Sequence, residues 1–242
     1  MSTTAIIILL LFAFGASYTQ RVTGFGFGIF IMTALPHLMP SYGEATALSG
    51  MLALVCTLAT SFAMLKYVKW NKLLPILATF LVVSFFSVRM VASVDDKTLK
   101  HVLGFILICV SIYFFFAGDK VRMKPTVPLQ VGMGTLSGLM GGFFAMQGPP
   151  AVVYFLSCTE RKEEYMGLVC TYFVIGNAMM TVFRAGSGFV TGTVCKAWLL
   201  AVPAVLLGLF LGGKTYERMP IATIRKCVYA FMAVAGTLAV FS

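Results

Sequence analysis

Eight long apolar runs fill almost the whole chain, at residues 5–39, 45–65, 73–91, 99–117, 129–158, 165–183, 197–213 and 221–241. No stretch between them is long or polar enough to make a water-soluble domain. A helix that crosses the hydrocarbon core of a bilayer needs about 20 apolar residues at 1.5 Å rise each. Of the 242 residues, 60% are hydrophobic and only 11% charged, against about 25% charged in soluble domains. That much apolar surface cannot all be buried in a single core of this size. Lipid must cover the rest, so the expected fold class is an all-α polytopic membrane protein.

Two of the eight runs are interrupted. The first contains Gln20-Arg21 and Gly24-Phe25-Gly26-Phe27-Gly28, and the fifth contains Gly138, Gly141-Gly142 and Gln147-Gly148-Pro149-Pro150. Each opens its half of the chain. Irregular backbone at membrane depth survives only where it is buried in protein or lines a wet cavity. Breaks at matching places in two halves are the sequence mark of a transporter's binding site.

The halves align. An offset of 120 places Gly28 on Gly148, Glu44 on Glu164, Thr57 on Asn177 and Ser61 on Thr181; an offset of 125 places Thr98-Leu99-Lys100 on Thr223-Ile224-Arg225. The expected organisation is a first transmembrane repeat at 1–117, a basic cytoplasmic linker at 118–128 and a second repeat at 129–242. Each repeat is a broken helix or hairpin followed by three transmembrane helices. The 18 Lys and Arg choose the relative orientation, because basic loops face the cytoplasm. Inverted repeats put twelve cations inside and five outside (Arg89, Lys97, Lys100, Arg184, Lys196), with Arg21 unassigned. Parallel repeats give eight inside and nine outside. Two inverted repeats are therefore expected, with both termini periplasmic and each broken run turning back on itself as a hairpin or a pair of short spans.

The residues resemble the TauE/SafE family of sulfite and organosulfonate exporters, also called TSUP permeases. The likeness rests on Gly24-Phe25-Gly26-Phe27-Gly28 with Leu35-Pro36. It continues in Leu136-Ser137-Gly138-Leu139-Met140-Gly141-Gly142, in Gln147-Gly148-Pro149-Pro150-Ala151-Val152-Val153-Tyr154, and in the late Gly208-Leu209-Phe210-Leu211-Gly212-Gly213. It covers nearly the whole chain. The first glycine stretch departs from the family by alternating Gly with Phe, and Gly208 and Gly212 have Val83 and Ser87 as their counterparts in the first half. The resemblance implies a bacterial inner-membrane protein that exports a small anion such as sulfite, an organosulfonate or a related carboxylate, coupled to a proton or sodium gradient. Uptake of sulfate, thiosulfate or a carboxylate, and an anion channel, stay open as alternatives. So does a homodimer.

At a helix break, freed backbone N–H groups and the helix dipole favour an anion without a fixed countercharge. Gly24, Gly26, Gly28, Gly148 and Pro149 are the candidate backbone elements of such a site. Gln147 and Asn177 are candidate amide donors, and Thr57, Ser61 and Thr181 candidate hydroxyls, although membrane hydroxyls commonly bond their own helix. Arg21 lies three residues before Gly24 and can balance an anion, or else snorkel at a hairpin tip. Gly208 and Gly212 are expected to serve helix packing, Arg184 to sit at the interface, and Glu44 and Glu164 to favour helix starts. His37 follows Pro36 in a loop, where it is expected to be inert. The six cysteines form no CxxC pair, so neither metal nor disulfide is expected. No cofactor and no nucleic-acid partner is expected, and no catalytic constellation is visible. Met1-Ser2-Thr3-Thr4 lacks the basic region of a signal peptide, so no cleavable leader is expected.

Overall fold

The computed structural model describes residues 2–91, 93–95, 97–99, 102, 105, 124–220 and 223. Among them the regular elements are helices: α1 Thr3–Thr23, α2 Phe27–Ile31, α3 Leu35–Leu38, α4 Tyr42–Met64, a short 3-10 turn Leu65–Tyr67, α5 Trp70–Val91, α6 Val127–Phe144, α7 Gly148–Cys158, α8 Lys162–Gly186 and α9 Gly192–Glu217. Five of these, α1, α4, α5, α8 and α9, are long and apolar enough to cross a membrane. The expected spans at 99–117 and 221–241 fall mostly outside the described residues.

Local chemistry sets the helix ends. Ser2, Ser41 and Thr191 cap α1, α4 and α9, their hydroxyls accepting from the N–H groups of Ala5, Glu44 and Val194, as N-cap residues do. These caps explain why α4 and α9 start before the apolar runs at 45 and 197. Cys195 and Lys196, early in α9, are exposed.

The central pair is α4 and α8, whose apolar windows are 65% and 61% buried, against 33–39% for α1, α5 and α9. The outer helices turn Leu74, Val82 and Phe86 of α5 and Leu199, Leu206 and Phe210 of α9 outward. Those residues recur four, seven or eight apart, a lipid-facing stripe.

Glycines report how the helices run. On α6, Gly134 meets Ile76 and Thr79 of α5, Gly138 meets Phe80 and Val83, and Gly142 meets Ser84, Ser87 and Val88. On α9, Gly208 meets Phe14 and Ser17 of α1, and Gly212 meets Tyr18 and Arg21. Both pairs are parallel, and small residues let the backbones close up. Gly208 and Gly212 thus serve packing, as their sequence context suggests. In the central pair Gly43 meets Phe189, Gly50 meets Arg184 and Gly167 meets Met64, so α4 and α8 are antiparallel. Thr191 donates to Glu44 at 2.7 Å, joining the starts of α9 and α4. Lys72 donates to Glu164 at 2.7 Å, joining the starts of α5 and α8. Hence α1, α4 and α9 run one way and α5, α6 and α8 the other.

Because α1 and α4 share a direction, residues 24–41 must carry the chain back between them. They do so with the short α2 and α3. Residues 145–161 return the chain between α6 and α8 with α7. The first arm of each broken run is a long helix and only the return is short, an asymmetry that periodicity does not reveal. The same contacts collect Lys66, Lys69, Lys72, Lys124, Arg161, Lys162, Lys214 and Arg218 at one end of the bundle. Ser2, Arg89, Lys97, Arg184 and Lys196 lie toward the other.

Candidate substrate-binding site

The two breaks are built alike. Helix α1 ends at Gly24, which takes the left-handed conformation (φ 87°) and returns its N–H to the Gln20 carbonyl at 2.8 Å. Helix α6 ends at Ala145, also left-handed (φ 56°), with its N–H on the Gly141 carbonyl at 3.0 Å. A positive φ is cheap for Gly24 and costly for Ala145. Two residues then separate each end from the next short helix, Phe25-Gly26 before α2 and Met146-Gln147 before α7. Gly26 (φ 99°) makes the first of these turns possible.

The breaks meet. Gly28 lies so close to the Ala145 carbonyl oxygen that a Cβ would overlap it, while a Cβ on Gly148 would sit 3.3 Å from Phe25 and 3.4 Å from Phe173. Between them is a cavity of about 30 Å³, walled by Gln20, Gly26, Gly28, Ala145, Gln147, Gly148, Pro149 and Asn177, with Phe27, Ile29, Ala53, Met146 and Phe173 completing it. That is room for one or two water-sized groups. Ala53 and Asn177 come from midway along α4 and α8. None of the described wall residues is ionisable.

Hydrogen bonds fix what this wall offers. Gln20 accepts from the Phe27 N–H at 3.1 Å, which uses its oxygen and leaves its NH2 as a donor. Gln147 donates from Nε2 to Oδ1 of Asn177 at 3.0 Å, which likewise leaves the Asn177 NH2 free to donate. The backbone under Gln147 is pinned by Ser137, whose hydroxyl donates to the Gln147 carbonyl and lies 2.6 Å from that of Tyr172. The wall is therefore biased toward donors, the chemistry of a neutral oxyanion site. Helix α7 starts here, but Pro149 and Pro150 carry no N–H, so Gly148 and Ala151 are the donors left in its first turn. Side-chain amides supply more of the site than a helix terminus alone would.

Of the residues singled out in the sequence, Gly26, Gly28, Gln147, Gly148, Pro149 and Asn177 line this cavity. The others lie elsewhere. Gly24 packs on Tyr165 and Met166. Thr57 and Thr181 donate to carbonyls one turn back, Ala53 at 2.9 Å and Asn177 at 2.8 Å. Ser61 is buried on α4 beyond the cavity wall. Arg21 lays its guanidinium over the Tyr216 ring at 5.2 Å, beside Gly212 and Gly213. Gln20, Ala53 and Phe173 are wall residues that sequence reasoning missed. Gln20 was reachable by the rule that picked out Gln147, a buried amide just before a break.

Three expectations outside the wall change. Arg184 is buried in the protein and does not reach headgroups; it is 2% exposed and donates to the Gly141 carbonyl at 2.8 Å. Glu164 does more than start α8, since it pairs with Lys72 at 2.7 Å and Lys69 at 3.0 Å. Glu44 accepts from Thr191. His37 is exposed on α3. Cys56, Cys158, Cys170 and Cys195 are free thiols, and Cys109 and Cys227 lie outside the described residues.

A family model described as sulfite exporter TauE/SafE matches residues 9–238. The chain belongs to the TauE/SafE family. As a TauE/SafE protein it is a multi-pass membrane transporter and not an enzyme. A probable sulfite/organosulfonate exporter TauE from Cupriavidus necator is similar to it, 22% identical over 231 residues that cover 91% of this chain and 88% of that relative. No solved structure matches the chain.

Proposed function

We propose that this chain exports a small oxyanion, sulfite or an organosulfonate, by alternating access, and that the cavity between the two breaks, which must widen as the halves move, is where the anion binds. The observation that carries the reading is the meeting of two breaks, 120 residues apart in sequence, at one donor-biased cavity. The substrate class is carried over from the printed name of the C. necator relative. Gln20, Gln147 and Asn177 hold the anion's oxygens, and Gly28 and Gly148 let the backbone approach it. Arg21 acts outside the wall, raising the local anion concentration on its side.

Two inverted repeats, at 1–117 and 129–242, account for the fold, with 118–128 as a cytoplasmic linker. The support is that α1 and α6, α4 and α8, and α5 and α9 run oppositely while α1·α9 mirrors α6·α5. With the cation-rich end cytoplasmic, Ser2 lies on the periplasmic side of a bacterial inner membrane. In such an arrangement the two halves can rock about a fixed site. A proton or sodium gradient drives the cycle.

The test is counterflow in proteoliposomes. Vesicles loaded with unlabelled sulfite should accumulate labelled sulfite above its external concentration, and taurine-derived sulfonates should compete. Flux that stays proportional to concentration without accumulation would mark a channel and overturn the carrier reading.

A further inference from the structure

Arg184 is a fully buried cation with no carboxylate partner among the described residues. Its Nη2 donates to the Gly141 carbonyl at 2.8 Å, and its buried Nε has no hydrogen-bond partner. None of the ion pairs among the described residues involves it. A Cβ on Gly50 would come within 2.8 Å of Nη1, so a residue without a side chain keeps room for the guanidinium. Capping the end of α6 explains one bond. It does not explain the charge, because a neutral donor would serve that carbonyl at far lower desolvation cost.

Its position is informative. Arg184 stands seven residues after Asn177, two turns along the same face of α8. The Gly141 carbonyl that it holds also accepts from the N–H of Ala145, a wall residue of the cavity. The helix directions put it on the side away from the cation-rich end. A guanidinium offers a planar fork of donors that matches an oxyanion.

We propose that Arg184 is a second oxyanion-binding position, which takes a sulfite or sulfonate group on the side of the break cavity opposite the basic end. The inference rests on the transporter reading above and adds a charged waypoint to a neutral site. The experiment is equilibrium binding of labelled sulfite and sulfoacetate to the full chain in lipid nanodiscs, for wild type, Arg184→Gln and Arg184→Lys. Thermal stability without ligand is read alongside. Arg184→Gln should remain folded and bind both anions about tenfold more weakly, the scale of a lost charge-assisted contact, with Arg184→Lys between it and wild type. Affinity unchanged in a folded Arg184→Gln protein overturns this inference and leaves the cavity reading intact. Wild type that binds neither anion overturns both. If both variants fail to fold, Arg184 only caps α6 and the proposal falls.

Discussion

Gln147 and Asn177 share a hydrogen bond of 3.0 Å that ties the second break to the middle of α8. The bond orients both amides, and it leaves the Asn177 NH2 as a donor at the cavity wall. Gln147→Ala should weaken oxyanion binding by about 1–2 kcal/mol, the loss of one hydrogen bond to a charged partner and of its supporting contact. Gln147→Glu should be worse, since it sets a carboxylate where the anion would sit. Titration calorimetry with sulfite on purified protein reads both. Equal affinity in the two variants would place the anion away from this residue.

The glycines of the two breaks should differ in tolerance. At Gly148 a Cβ meets only aromatic edges at 3.3–3.4 Å, whereas at Gly28 it overlaps the Ala145 carbonyl. Gly148→Ala should express normally with reduced transport, and Gly148→Val should abolish transport with little loss of yield. Gly28→Ala should lower folded yield sharply, because a backbone carbonyl cannot move aside as a ring can. Monodisperse yield and transport rate per folded molecule separate the two effects.

Gly208 should report on packing alone. A Cβ there would overlap the Ser17 hydroxyl and come 2.5 Å from the Phe14 carbonyl oxygen. Gly208→Val should cost about 1–3 kcal/mol, the range of overpacked sites, seen as a lower melting temperature in detergent. Surviving protein should bind sulfite with wild-type affinity.

Lys72 and Lys69 both pair with Glu164, but Lys72 is 15% exposed and Lys69 57%. Lys72 also donates to the Cys158 carbonyl at 2.6 Å, closing the end of α7. Lys72→Met should therefore destabilise by about 1.5–3 kcal/mol, the worth of hydrogen bonds to a charged group. Lys69→Met should cost under about 1 kcal/mol, as exposed pairs do. Comparing the two melting temperatures in the same detergent checks the order.

Both termini should be periplasmic. A reporter active only in the cytoplasm should be silent when fused after Ser242 and active when inserted at Lys120. A strong signal after Ser242 would remove the inverted arrangement.

The alternation of apolar runs and basic loops was enough to read an all-helical membrane chain, because lipid demands long apolar helices whatever their partners. The breaks were legible too, since Gly24-Phe25-Gly26-Phe27-Gly28 and Gln147-Gly148-Pro149-Pro150 cannot continue an α-helix undisturbed. From them came Gly26, Gly28, Gln147, Gly148 and Pro149, which line the cavity together with Asn177 from the helix that follows the second break. Which of the remaining polar groups face it could not be read, because a hydroxyl on a membrane helix satisfies itself on its own backbone as readily as it meets a ligand. Thr57 and Thr181 do the former. Gln20 and Arg184 owe their positions to contacts across 7 and 43 residues, with Phe27 and Gly141. Covalent sequence sets which segments enter the bilayer and where they break, as local matters of hydropathy and backbone. How α1 lies on α9, and α5 on α6, depends on glycines meeting side chains of distant helices. Only that packing brings the two breaks to one cavity and buries a guanidinium behind it.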